Sequence, residues 1–329
     1  MSDTTVIAGS APRTFRRFIE RFPFLPALVI LVVLLALNGV FEPNSLSYRA
    51  IRGLISTYLA LILLSVAQTY VIYAADLDLS VGAILSLVNV GIIVLMQHLG
   101  GSPAGVLLAC GAGILIGLAC GIVNGIVVAV LRLQAIVATF ATSILFTGLA
   151  LYILPVAGTP APTVYWRTYG GTFFGFPFVF YVAVAIAFIL FLIARTRLIT
   201  QLLSVGDDQQ AAYQTGLPVT MIRLKGYALC GVFAALAALC VTGDTASGDP
   251  LVGGEMTLNS VAAVVLGGTA LSGGVGSVTG SVFGALIIGL ISSLVFFVGT
   301  PSEWQNLVQG LAILLALMIG VLVGRRAKS

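Results

Sequence analysis

Apolar residues fall in long unbroken runs, not in the strict alternation of a half-buried strand. Ten runs carry little or no charge: residues 24–41, 51–74, 79–97, 104–131, 135–154, 178–194, 226–241, 258–271, 278–298 and 307–323. A helix needs ~20 apolar residues to cross a hydrocarbon core, and most of these runs reach or approach that length. The run 258–271 is short for the purpose and reads as a broken or tilted helix before a tight turn. The predicted fold class is therefore an all-α polytopic membrane protein with about ten transmembrane helices. A basic stretch precedes the first run, as in a secretory leader, but no small-x-small cleavage pattern follows it. It is read as a retained helix. The predicted organisation is a cytoplasmic segment 1–23, a single transmembrane domain 24–324 and a cytoplasmic tail 325–329.

Composition supports the same picture. Apolar residues make up 59% of the 329 residues and charged residues 8%, against roughly 25% charged in a soluble domain. That argues against a soluble enzyme, a disordered chain or a nucleic-acid-binding domain. The chain holds four cysteines and one histidine, His98, with no C-x-x-C pair. No zinc site, other metal site or cofactor is expected, and the cysteines read as small buried hydrophobes. No nucleophile and base cluster, so no catalytic residue is assigned and the chain is not expected to be an enzyme.

The charges that exist are sorted. With alternating spans and the N-terminus in the cytoplasm, twelve Lys and Arg fall inside: Arg13, Arg16, Arg17, Arg21, Arg132, Arg195, Arg197, Arg223, Lys225, Arg325, Arg326 and Lys328. Only three, Arg49, Arg52 and Arg167, fall outside. This asymmetry predicts both termini in the cytoplasm. The longest cytoplasmic loop is 195–225. In it, Asp207 or Asp208 suits a helix N-cap, Gln210, Ala211 and Ala212 propagate a helix, and Gly216 and Pro218 stop it. A short helix of about two turns is expected there. It either closes the loop or docks a soluble partner.

Polar groups in and beside the spans are the candidates for a pathway. Residues 76–82 read Asp-Leu-Asp-Leu-Ser-Val-Gly. Asp78 or Ser80 suits a cap on the following helix; alternatively Asp76, Asp78 and Ser80 mark a re-entrant break lining a cavity, where irregular backbone is tolerated. Gln68, Asn89, Asn124, Thr139, Thr142, Ser143 and Asn259 lie within runs. Each suits a bond to a neighbouring helix. Together they offer hydroxyl and amide groups, which suit a neutral polyhydroxyl solute better than an ion. Residues 248–284 are rich in glycine, which permits close helix approach, but no phosphate-binding loop or lysine occurs there. The stretch 78–89 is similar to 255–266, a polar start followed by an apolar helix. That likeness predicts two inverted five-helix halves with the pathway between them.

Three motifs carry a family resemblance. Residues 76–82 resemble the G-I-D-L-S-V-G segment of ribose-type sugar permeases, with Ala75 at a usual glycine and Leu77 for isoleucine. Residues 206–216 resemble their cytoplasmic G-x-N-x-x-A-A-x-x-x-G loop, with Asp208 for asparagine. Residues 266–277 resemble their L-G-G-x-x-x-x-G-G-x-G-x segment. Gln134 and Ala135 stand where a proline is expected. The resemblance covers about 26–323. It implies a fold similar to the vitamin B12-type importer permease, and the membrane subunit of an ATP-binding-cassette importer in the bacterial inner membrane. It also implies three partners: a cytoplasmic ATPase, a second permease chain, identical or different, and a periplasmic sugar-binding protein. It assigns ATPase coupling to Gly206, Asp207, Asp208, Ala211, Ala212 and Gly216. The expected translocation pathway comprises Asp76, Asp78, Ser80, Asn89, Asn124, Thr139 and Asn259. Ala212→Glu is expected to uncouple transport without unfolding the chain. The competing readings are a branched-chain amino-acid permease and an ion-coupled carrier.

Overall fold

The structure is a computed structural model and describes residues 24–328. The basic segment 1–23 and Ser329 lie outside the described residues, so the arginines expected to hold the N-terminus inside are not placed. Helices form wherever an apolar run was found. They are α1 (Leu25–Phe41), α2 (Tyr48–Tyr73), α3 (Val81–His98), α4 (Pro103–Gly125) and α5 (Ala135–Ile153). A short α6 (Thr163–Tyr169) precedes α7 (Phe178–Ala194), α8 (Leu198–Asp207) and α9 (Gln209–Gln214). Then come α10 (Val219–Thr245), α11 (Gly254–Leu266), α12 (Val278–Phe297) and α13 (Ser302–Lys328). Among the described residues six helices are long and apolar enough to cross a membrane, or seven if α7 and α8, bent by 66°, count as one span. α1 and α11 are shorter apolar helices. The chain is a polytopic helical membrane protein.

Three departures from the expected elements have physical causes. α10 starts at Val219, seven residues before the apolar run, because Arg223 and Lys225 are good helix formers once the chain has left Pro218. α11 begins at Gly254 and stops at Leu266, because Gly268 adopts a left-handed conformation (φ +86°) that ends the helix. α8 was not expected at all. Its ten residues are too few for an apolar run, but Leu202 and Val205 sit on one face and are buried.

α2, α3 and α10 form the centre. α2 is buried continuously from Leu59 to Tyr73, and α3 over most of its length. Their neighbours α4, α5 and α7 keep one face inward and expose Leu107, Leu108, Leu115, Leu145 and Val184. Such a surface suits lipid and not water. A second cluster joins α1, α11 and α12 through Ala27, Leu31, Ala263, Ala285 and Ile288. Asn38 ties α1 to it, donating to the Leu34 carbonyl at 2.9 Å and to the Leu290 carbonyl at 3.2 Å. Two-residue antiparallel strands close one end, pairing Thr159 with Gly248 and Pro160 with Ser247. There Tyr165 on α6 donates to the Leu239 carbonyl at 2.7 Å. Burial pushes its phenol well above the ordinary value, so it stays a donor at physiological pH.

α4 crosses α10 at van der Waals distance between backbones. A Cβ on Gly117 would overlap the Gly231 carbonyl, and one on Gly231 would overlap Gly117 and approach Gly121. Without small residues the two axes cannot come this close. Gly231→Val is expected to destabilise the fold by about 1–3 kcal/mol. A fall in thermal stability of the detergent-solubilised protein, with Gly111→Ala as a neutral control at an open position, checks this.

Candidate functional site

Two loop sets define two ends. One set gathers residues 75–77, 128–136, 209–223 and Leu271 around an open cavity of about 1310 Å³. The opposite end holds the small strands, the Arg52 contact to the Gly170 carbonyl and the Ser56–Asp244 hydrogen bond. Between α2 and α3 the chain breaks. Tyr73 ends α2, Ala75 turns left-handed (φ +62°), and α3 resumes at Val81.

This break gathers three of the polar residues singled out in the spans, Gln68, Asn124 and Thr139. Asp78 has no exposed surface. Its carboxylate accepts from the Ser80 amide at 2.8 Å, the Ser80 hydroxyl at 2.7 Å and Asn124 Nδ2 at 3.2 Å. Cys230 Sγ lies 3.6 Å away. All four donors are neutral. Asn124 Nδ2 also reaches Ser80 Oγ at 2.7 Å. With its nitrogen toward the Asp78 carbonyl, the Gln68 amide pairs both backbone groups of Asp78, at 3.1 and 3.2 Å. Thr139 Oγ1 accepts from the Leu79 amide at 3.0 Å and lies 2.8 Å from the Ala135 carbonyl. Asp78, Ser80, Asn124 and Thr139 thus come together, but their polar atoms are turned on the broken backbone and on one another.

Asp76 does something else. Arg223 on α10 grips its carboxylate with two bonds, Nε at 2.8 Å and Nη2 at 2.7 Å. The pair is mostly buried, at 13% and 8% side-chain exposure. Arg223 carried only a positive-inside count in the sequence. Nothing in its spacing pointed to Asp76. Asn89 sits apart, donating to Thr242 Oγ1 at 2.6 Å and accepting from the Asp249 amide at 2.8 Å. Asn259 is half-buried on α11 and joins neither group.

α3 and α11 meet at their N-terminal turns, although they start from opposite ends. The Gly82 amide donates to Thr257 Oγ1 at 3.1 Å, and the Gly253 amide donates to Ser86 Oγ at 2.9 Å. A Cβ on either glycine would overlap the other's carbonyl. Each hydroxyl lies four residues beyond its glycine. The contact thus pairs residues 82–86 with 253–257, a register other than that of the likeness of 78–89 to 255–266. Asp78-Leu79-Ser80-Val81-Gly82 matches Asp249-Pro250-Leu251-Val252-Gly253, and each aspartate accepts from the amide two residues on, at 2.8 Å in both. That shared D-x-x-V-G was the legible signal for Ser86 and Thr257. Beside the crossing runs a groove of about 350 Å³ lined by Ser86, Phe140, Ser143, Thr147, Leu251 and Thr257.

The loop helix has the expected caps. Asp208 Oδ1 accepts from the Gln210 amide at 2.8 Å and the Ala211 amide at 2.9 Å, and Gly216 is left-handed (φ +84°). Asp207, Asp208, Ala211 and Gly216 are exposed and Gly206 is partly so. Ala212 is buried at 5% exposure. Ala212→Glu would force a carboxylate into packing, so it tests folding and not docking. Tyr213, 74% exposed, is on the outward face.

Residues 50–317 match the family described as "Branched-chain amino acid transport system / permease component". The chain belongs to this permease family. It is 31% identical over 301 residues to the ribose import permease protein of Escherichia coli, covering 89% of this chain and 92% of that one. Identity to the Bacillus subtilis ribose import permease protein is 34% over 307 residues, 90% and 91% of the two chains. The autoinducer 2 import system permease protein of Yersinia enterocolitica is 31% identical over 300 residues, 90% and 81%. No solved structure matches.

In this permease the Asp78 hub is the polar centre of the fold. Asp78→Ala would strip the acceptor from the Ser80 amide and from the Ser80 hydroxyl, each buried. Orphaning such donors costs about 1–3 kcal/mol apiece. Asp78→Asn keeps an acceptor oxygen and is expected to retain more of the folded protein. Comparing the detergent-stable yield and melting temperature of the two variants checks the order.

Proposed function

We propose that this chain is the membrane-spanning subunit of a bacterial importer that takes up a monosaccharide or related small polyhydroxyl solute, driven by a separate ATPase. The observation that carries the reading is end-to-end likeness, about nine-tenths of the chain, to ribose import permeases. The groove beside the α3–α11 crossing supports it. Ser86, Ser143, Thr147 and Thr257 line it together with Phe140, the Ser86 and Thr257 oxygens accepting from the Gly253 and Gly82 amides. Hydroxyls and an aromatic face suit a neutral sugar, whereas an ion would call for charge. The pathway follows this groove, with Thr139 and Asn259 on the same helices α5 and α11. Asp76, Asp78, Ser80, Asn89 and Asn124 shape it from behind.

Ten crossings in two inverted halves fit the connectivity. α3 followed by α4 corresponds to α11 followed by α12. Gly113 on α4 packs against Ile92 of α3, and Gly284 on α12 packs against the Ala263 carbonyl of α11. In this reading the end bearing α8 and α9 is cytoplasmic, with both termini, in the bacterial inner membrane. The exposed face of α9 engages the ATPase. A second permease chain completes the pathway, and a periplasmic binding protein delivers the solute. A branched-chain amino acid is the second reading, favoured by the description of the matching family.

Affinity purification from the native membrane followed by mass spectrometry is expected to recover an ATPase. Reconstituted with it and the binding protein, the chain is expected to take up D-ribose or a competing sugar only with ATP. Uptake by the chain alone would refute the importer reading, and competition by leucine in place of sugars would select the second. Tyr213→Glu is expected to lower ATPase recovery about tenfold, a coupling of ~1.4 kcal/mol, while leaving the melting temperature unchanged.

A further inference from the structure

Three stretches of backbone meet where α8 ends, with no side chain between them. A Cβ on Gly206 would overlap the Tyr73 carbonyl at the end of α2. The Gly274 amide donates to that same carbonyl at 3.3 Å. Gly274 (φ +73°) also lies so near Asp207 that a Cβ would come within 2.8 Å of the Asp207 Cα. Gly273 (φ +80°) faces Ala75 in the same way, with 2.8 Å to its Cα. The left-handed angles and the lack of space both require glycine at 273 and 274.

Arg223 adds a clasp to this contact. The loop helix α9 leads directly into α10, and the Leu217 amide donates back to the Ala212 carbonyl at 3.2 Å. Arg223 lies one turn into α10 and holds Asp76 by its two-pronged bond. Residues 73–76 are therefore gripped from three sides: by α8, by the glycine loop and by the start of α10. Backbone contacts and a buried bidentate pair yield little, so a displacement on one side is passed to the other.

We propose that this junction is the transmission element of the importer. It makes residues 73–76 move with α8 and α9, and Arg223 is the positioning residue that holds Asp76 to the moving body. The proposal rests on the importer reading above, and it names the connection inside this chain between the docked helix and the pathway. Asp76 lies two residues from the Asp78 hub and six from Gly82, where α3 meets α11. A shift of 73–76 thus reaches the crossing beside the groove through six residues of covalent chain.

The test uses the chain in complex with its ATPase, purified from the native membrane and reconstituted with the binding protein. Leu77→Cys places a probe on the partly buried residue of the break that lines the large cavity. Its labelling by a water-soluble maleimide is measured with and without ATP, alongside ATP hydrolysis and uptake of radiolabelled D-ribose. In the otherwise unchanged chain, ATP is expected to alter the labelling rate. Arg223→Gln is expected to remove that response and lower uptake about tenfold, with hydrolysis within about twofold. Arg223→Lys keeps the charge without the fork and is expected to restore part of both. Asp76→Asn weakens the same clasp from its other side without changing the backbone, is expected to act like Arg223→Gln, and decides the matter if Arg223→Gln does not fold. An ATP response at Leu77→Cys that survives Arg223→Gln or Asp76→Asn overturns the proposal, and so does its absence in the otherwise unchanged chain. An ATP response without ribose uptake would leave the junction standing and refute the substrate assignment alone.

Discussion

A membrane interior offers no water to a backbone that leaves its helix, so every amide exposed by a break must find a partner in the protein. Most of the polar chemistry inside this chain answers that constraint. The amides of Leu79, Ser80, Gly82 and Gly253 go to Thr139, Asp78, Thr257 and Ser86. Gln68 takes both backbone groups of Asp78. The Asp249 amide goes to Asn89. Side chains that look in the sequence like pathway lining are committed to the breaks themselves. The groove between α3, α5 and α11 runs beside these breaks, lined by Ser143 and Thr147 as well as by Ser86 and Thr257.

The long helices were legible because lipid and core both ask for apolar residues, and a run records that demand whichever side it faces. The same fact hid which face was which. Leu107 and Leu63 read alike, yet one is 74% exposed and the other fully buried. The caps of α9 were legible because Asp208 and Gly216 act on their immediate neighbours. Arg223 was not, because its partner Asp76 is separated from it by 147 positions, and no local pattern ties an arginine to one carboxylate among several. Ala212 shows the same limit. Its helix propensity was readable, while the side its methyl group faces depends on how α9 lies against the helices around it.

The D-x-x-V-G repeat lies between these cases. Both copies are visible as letters, but the register between them is set by contact. Gly82 and Gly253 must oppose each other because only there do both chains lack a Cβ, and Ser86 and Thr257 then fall opposite the amides. Matching by polar start alone placed Glu255 opposite Asp78 and missed this. The hydrogen-bonded role belongs to Asp249, whose carboxylate closes the same two-residue turn as that of Asp78.

The two aspartates are nonetheless unequal, and the difference bears on how such a crossing could move. Asp78 is sealed among Ser80, Asn124, Gln68 and Cys230, with no exposed surface. Asp249 is half-buried beside the strand pair that closes the far end. One turn is thus held by a dense network around its carboxylate and the other by Asn89 and a short two-stranded clip. A rearrangement that opens the far end has fewer buried hydrogen bonds to exchange than one that dismantles the Asp78 hub.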